Sequence, residues 1–173
     1  MPKYSPPSRL RGKRIGQLHE NCYQIYLHEP ALDEILTFSA GELRREIGGF
    51  LIGAAGHGSL SHVEIRRFVA ATAVESNAAS LTFTHETWAA MRRLVDREYP
   101  GEVVVGWHHT HPGYGVFLSA YDLFIHRHFF SEPWQVALVV DPRQEEFGFF
   151  QWRDGQVVDC GFVCVKEGLQ GRK

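Results

Sequence analysis

Cysteine is scarce in this 173-residue chain: Cys22, Cys160 and Cys164 are too few, and odd in number, for a disulfide framework. A reducing cytoplasm is the expected setting. No apolar run approaches the roughly 20 residues that a bilayer-spanning helix needs. The N-terminus, MPKYSPPSRLRGKR, carries charge and proline but lacks the apolar core of a signal peptide. Acidic side chains are missing from those first 14 residues, which hold Lys3, Arg9, Arg11, Lys13 and Arg14. The rest of the chain has 13 bases against 20 acids, so a net charge of −2 hides an acidic body. An acidic body is a poor platform for nucleic acid, and neither nucleic acid nor a membrane is expected as a partner. Repeats and low-complexity segments are absent too. With 44% apolar and 22% charged residues, the composition is that of an ordinary globular protein. The length suits one domain: a basic, Pro-rich tail over 1–16, a single domain over 17–166 and a short C-terminal tail over 167–173.

What is present alternates between strand and helix signals. Tyr23 to Leu27 reads as a strand, Pro30 opens a helix through about Leu43, and Glu46 to Gly53 reads as a buried strand ending in a turn at Gly56-His57-Gly58. His62 to Thr72 is a second strand of that kind. Thr84 caps a helix through Arg97, closed by Tyr99-Pro100-Gly101. Glu102 to His109 is a valine-rich strand, and Ser119 starts a helix to about Phe130. Strands near 135–140, 147–152 and 157–165 complete an α/β domain with helices packed around one sheet.

The chemistry concentrates in Gly106–Asp122, GWHHTHPGYGVFLSAYD. Successive strand residues point to opposite faces, so His109 and His111 share a face and His108 points away. Pro112 ends the strand, and Gly113 and Gly115 let the loop turn back. Ser119 then opens a helix with Asp122 in its first turn. The loop can return Asp122 to the imidazole face as the third member of a His-His-carboxylate set, which is what a catalytic zinc site uses while its fourth position stays open. Singly, each part has an ordinary meaning: His-x-His as two strand histidines, Ser-x-x-Asp as a helix-starting capping box. Together they point to a hydrolytic metal site. Glu46, at the mouth of an apolar strand, is the candidate base, with an ion pair to Arg44 or Arg45 as the alternative.

The chain contains its own decoys. His126 and His128 share the i, i+2 spacing but fall on a helix, where they diverge. His85-Glu86 begins a zinc-protease HExxH, yet Ala89 stands where the second histidine is required. A cytosine-deaminase pattern needs a P-C-x-x-C that the chain lacks. Cys160 and Cys164 have no second pair and read as small core residues.

Glu46-Ile47-Gly48-Gly49-Phe50-Leu51-Ile52-Gly53, followed by Gly106 to Pro112 and then by Ser119 and Asp122, closely resembles the JAMM (MPN+) metalloprotease family. The likeness covers about residues 20–165, with seven residues between His111 and Ser119 as the signature has. It implies the MPN fold, a curved mixed β-sheet packed by helices. It also implies Zn2+ on His109, His111 and Asp122, Glu46 as general acid/base and Ser119 as donor to the oxyanion. Proteolytic members cut after the C-terminal tail of ubiquitin or ubiquitin-like proteins, which lies beside the site as an added strand. The stretch from Ala71 to Leu81, with Ser76 and Asn77, is the candidate edge here. His108 departs from the tyrosine common in eukaryotic members. The resemblance further implies a free-standing prokaryotic member acting with E1-like and E2-like partners, as in antiphage defence. A sulfur-carrier processing protease and a non-catalytic MPN scaffold are the alternatives.

Overall fold

A computed structural model describes residue 10 and residues 12–57, 61–72 and 74–166. Its order is β1 (Gly12–Ile15), β2 (Gln24–His28), α1 (Glu29–Ala40), β3 (Gly48–Gly56), β4 (His62–Ala70), β5 (Glu75–Ser76), β6 (Leu81–Thr82), α2 (His85–Glu98), β7 (Val103–Thr110), α3 (Ala120–Phe129), β8 (Val136–Asp141), β9 (Glu146–Arg153), β10 (Gln156–Cys160) and β11 (Phe162–Val165). Nine strands form one mixed sheet in the order β1-β11-β2-β4-β3-β7-β8-β9-β10, and β5 with β6 makes a separate small hairpin. The central strands β3, β7 and β8 are buried along most of their length, as strands covered on both faces are. One face packs Ile25, Leu27, Val63 and Ile65 with Ala31 and Ile35 of α1. The other packs Phe50, Ile52 and Trp107 with Met91 and Val95 of α2 and Ile125 of α3.

Strand β3 runs Gly48–Gly56 rather than Glu46 to Gly53, and β4 ends at Ala70 rather than Thr72; three further differences have a visible cause. Gly12–Ile15 is not tail: as β1 it pairs antiparallel with β11 along Gly12↔Val165 to Ile15↔Phe162. Its exposed Lys13 and Arg14 suit an outermost strand, where charge discourages further pairing. Helix α1 stops at Ala40 rather than Leu43, because Gly41 N–H closes on Phe38 O as its C-cap. The strand expected over 157–165 is two strands. Gly161 breaks it by donating its N–H to Gln17 O at 2.7 Å, and a Cβ there would lie 2.5 Å from Ile15 O. Of the basic tail, 1–9 and 11 lie outside the described residues, as do Gly58 and the C-terminal 167–173. Among the described residues no helix is long and apolar enough to cross a membrane.

The approach of β3 to β7 sets the site. They pair antiparallel with Gly48 opposite His109, and a Cβ on Gly48 would sit 2.2 Å from His108 O and 2.7 Å from Leu81 Cδ2. Gly48→Ala therefore forces the two strands apart next to the functional cluster. It is expected to cost about 1–3 kcal/mol, the range for an overpacked core, and urea unfolding of the purified variant checks it. An unchanged midpoint would mean that the strands separate freely.

His108 illustrates how completely alternation sorts this strand. Its ring is fully buried between Phe38 and Phe68, and its Nε2 stands 3.0 Å from Ser39 Oγ. Ser39 spends its own proton on Ile35 O, so His108 donates through Nε2 and is neutral. Burial, reinforced by nearby His109, lowers its pKa to about 3. His126, also fully buried, accepts the Trp107 indole N–H on Nδ1 at 3.0 Å, and burial lowers it to about 4. A histidine with a depressed folded pKa binds its proton more readily when unfolded. The stability tied to its neutral form is therefore complete above pH 6.5 and drains away as pH falls toward 4 and 3. By pH 4 the loss is about 3 kcal/mol for each group. Denaturant unfolding between pH 7 and 4 is expected to show this slope, and His108→Phe to flatten part of it; an unaltered slope would locate the effect elsewhere.

Candidate metal centre

Two histidines at the end of β7 and one aspartate at the start of α3 meet at a point. His109 Nε2 and His111 Nε2 lie 3.0 Å apart, and each is 3.1 Å from Asp122 Oδ2. All three side chains are buried. The two rings are held differently. His109 stacks flat on Trp107, with centroids 4.4 Å apart and planes 9° from parallel; Trp107 is itself fixed by its bond to His126 and by Phe130. His111 donates from Nδ1 to Gly115 O at 3.0 Å, which sets its tautomer and leaves a lone pair on Nε2. Asp122 is set by the helix start, since Ser119 N–H donates to Asp122 Oδ2 at 2.9 Å and Asp122 N–H to Ser119 Oγ at 3.1 Å. That is a reciprocal capping box.

Two imidazole nitrogens and a carboxylate oxygen this close need a shared proton or a metal ion among them. These three residues are also the His/Cys/Asp/Glu group that could hold a metal ion among the described residues. Tetrahedral ligands about 2.1 Å from zinc stand about 3.4 Å from one another, and two imidazoles with a carboxylate are a zinc-type donor set. The residues fit the ion. Asp122 already behaves as an anion: burial pushes its pKa up, but the imidazoles of His109 and His111 and the Ser119 N–H outweigh that and hold it far below the usual carboxylate range.

Glu46 stands beside this cluster. Extending the β3–β7 register two residues past Gly48↔His109 brings Glu46 opposite His111, and its Oε1 lies 3.6 Å from His111 Nε2. Only 2% exposed, it makes no pair with Arg44 or Arg45; the Arg45 guanidinium turns to Glu42 instead, which also accepts the Arg44 backbone N–H. Its N–H donates to Asn77 O, the Tyr114 hydroxyl donates to Oε1, and Oε2 has no hydrogen-bond partner. Burial pushes the Glu46 carboxyl above its ordinary value, with the Tyr114 bond opposing. The Ser119 hydroxyl accepts from Asp122 N–H, so its own proton remains available to a ligand.

Each remaining histidine of interest is accounted for elsewhere. His108 faces the opposite core, His126 bonds Trp107, and His128 is exposed beside Phe124. Cys160 is buried against Gln151, whose amide donates to its sulfur, and burial pushes its thiol up to about 12. Three contributors escape a reading of motifs. Tyr114 and Phe117 flank His111 at 4.6 and 4.8 Å between ring centroids. Asp141 sits at the end of β8 and binds the loop that follows His111; in sequence it shows only as the turn signal Asp141-Pro142. The described residues of the stretch from Ala71 to Leu81, all but residue 73, adjoin the site. Ala71 N–H bonds Gly48 O, Asn77 O holds Glu46, and Glu75-Ser76 folds back onto Leu81-Thr82.

Comparison with known proteins agrees with this arrangement. The solution structure of protein DSY2949 from Desulfitobacterium hafniense superimposes with a TM-score of 0.61 over 83% of this chain and 93% of that one, at 19% identity, so the fold is shared. In sequence, the chain is 48% identical over 149 residues to 26S proteasome regulatory subunit rpn11 of Schizosaccharomyces pombe, covering 80% of this chain and 47% of the relative. It is 32% identical over 121 residues to NAD(+) hydrolase TcpA of Theionarchaea archaeon (strain DG-70-1), covering 68% and 34%. To COP9 signalosome complex subunit 5 of Candida albicans it is 31% identical over 151 residues, covering 85% and 24%. The chain thus spans half or less of the length of these curated relatives. The family model for JAB1/Mov34/MPN/PAD-1 ubiquitin protease matches residues 20–132, and with the His-His-Asp group inside that span the chain belongs to the JAB1/Mov34/MPN/PAD-1 family.

Proposed function

We propose that this chain is a zinc-dependent isopeptidase or peptidase that cleaves after the C-terminal tail of a ubiquitin-like protein. The observation that carries the reading is a nearly inaccessible carboxylate, Glu46, with a free oxygen, set 3.6 Å from a converging His109–His111–Asp122 group. His109, His111 and Asp122 would hold the zinc, which would supply Lewis acidity toward a carbonyl and lower the pKa of a water to about 7. Glu46 takes the proton of the attacking water and later hands it to the leaving amine. Burial raises its pKa above that of an ordinary carboxylate, which favours holding the proton between the two transfers. Ser119 donates its hydroxyl proton to the oxyanion that develops on the scissile carbonyl. Tyr114 and Phe117, exposed beside His111, offer an apolar surface for the tail to lie against. The hairpin of β5 and β6 supplies the edge along which that tail lies as an added strand.

The proposed setting is a cytoplasmic conjugation system of bacterial type with E1-like and E2-like partners, such as a defence operon. A fusion of a ubiquitin-like protein to a reporter through its C-terminal glycine tests the chemistry. Cleavage is expected at that junction, is expected to stop when a chelator strips the protein, and to return with Zn2+. Cleavage that persists through complete metal removal would rule the mechanism out.

A further inference from the structure

The loop between His111 and α3 is held from outside the family signature. Asp141, fully buried at the end of β8, reaches it with both carboxylate oxygens. Gly113 N–H donates to Oδ1 and Gly115 N–H to Oδ2, each at 2.9 Å. Arg143 N–H and Gln144 N–H also donate to Oδ1, at 3.0 and 3.1 Å, so the same oxygen fixes the turn after β8. Burial pushes this carboxyl up, and the four N–H donors more than offset it, holding it ionised. Both glycines have the positive φ that lets their amides converge on one acceptor, +87° and +95°. The residues so fixed are those that touch the site. Gly115 O receives the His111 Nδ1 proton, and Tyr114, between the two clamped amides, donates to Glu46.

We propose that Asp141 is a positioning residue for the metal centre. Through the Gly113–Gly115 loop it fixes the tautomer and tilt of His111 and holds the Tyr114 hydroxyl on Glu46. The proposal rests on the metal reading of the His109–His111–Asp122 group. Partners that orient ligating histidines are worth about 10- to 100-fold in metal affinity, and here one carboxylate serves a ligand and the base together.

Asp141→Asn separates this role from general support. An asparagine carbonyl in the place of Oδ1 keeps its three bonds to Gly113, Arg143 and Gln144. Its NH2 then faces the Gly115 N–H, so the bond nearest His111 is lost. Zn2+ titration with a competing chelator is expected to show affinity lower by about 10- to 100-fold, with the melting temperature of the metal-free variant close to that of the parent. Gly115→Ala attacks the loop independently, because alanine rarely adopts φ +95° and its Cβ meets no atom within 4 Å; it is expected to weaken Zn2+ similarly. Long-range 1H–15N correlation on metal-free protein gives a readout that no zinc enters: His111 is expected as the Nδ1–H form in the parent and as a tautomer mixture in both variants. Parental affinity and parental tautomer in both variants would overturn the proposal. A parent that takes up no Zn2+, with the tautomer still shifting in the variants, would overturn the metal reading and leave the clamp on His111 standing.

Discussion

Glu46→Gln is expected to lower kcat for cleavage of a ubiquitin-like fusion by about 10³-fold, within the span typical of general acid–base groups, while Zn2+ binding stays at the parental level. The variant is close to isosteric. Its carbonyl can still accept the Tyr114 hydroxyl, so the aromatic wall over His111 is retained. What disappears is the capacity to take up a proton. The stability of the metal-free variant should move the other way. Glu46 has a folded pKa above its ordinary value, chiefly through burial. A raised carboxyl binds protons more tightly folded than unfolded, so stability declines as pH rises through that interval and stays reduced at pH 7. Removing the charge is therefore expected to leave metal-free protein at least as stable at pH 7, the pattern of a residue kept for chemistry at the expense of the fold. Single-turnover cleavage, zinc analysis and thermal unfolding on one preparation test all three. Parental kcat with zinc bound would remove Glu46 from the mechanism.

How much of this is legible in the sequence depends on the range of each contact. Alternation along β7 is local and rigid. It separates His108 from His109 and His111 without any structure, and the buried His108–Ser39 pair agrees. The helix starts at Thr84 and Ser119 are equally local, because a side chain closes on an amide three residues on. Glu46 lies between these cases. Its place follows from register, but its escape from the alternative partners Arg44 and Arg45 depends on Glu42 engaging Arg45 and the Arg44 amide. Tyr114 on Glu46 spans 68 residues and Asp141 on Gly113 spans 28. No periodicity encodes either, since both arise where separate strands end at the same edge of the sheet.

Two of the boundaries that differ, at β1 and at Gly161, share one cause, which is backbone pairing at the margin of the sheet. Strand β1 reads as tail because a run of Gly, Lys, Arg and Ile carries little strand signal of its own. Its hydrogen bonds come from the free edge of β11. Gly161 divides β10 from β11 for a similar non-local reason, its amide being taken by Gln17. The interior of the sheet, with strands β3, β7 and β8 buried along nearly all their length, is by contrast written plainly in runs of Val, Ile, Leu and Phe.

His109→Ala and Asp122→Ala are each expected to abolish stoichiometric Zn2+ binding and cleavage together, the largest effects at any position. Three donors suffice for a catalytic site only because each contributes a substantial share; with two left, affinity falls by several orders of magnitude. The two variants differ in what else they disturb. His109 is held by stacking on Trp107, so its loss opens a cavity beside the second core. Asp122 accepts the Ser119 N–H, so its loss also removes half of the α3 capping box, worth about 1 kcal/mol. The decisive comparison is the response to a chelator. A ligand that binds only the folded state stabilises it in proportion to the logarithm of its concentration over Kd, so stripping Zn2+ from the parent is expected to lower its melting temperature by several degrees. In either variant the same treatment should change nothing, because no ion remains to be stripped. A variant that keeps one zinc per chain and a chelator-sensitive melting temperature would show that its side chain is not a ligand, and a parent insensitive to chelator would show that the site holds no stabilising ion at all.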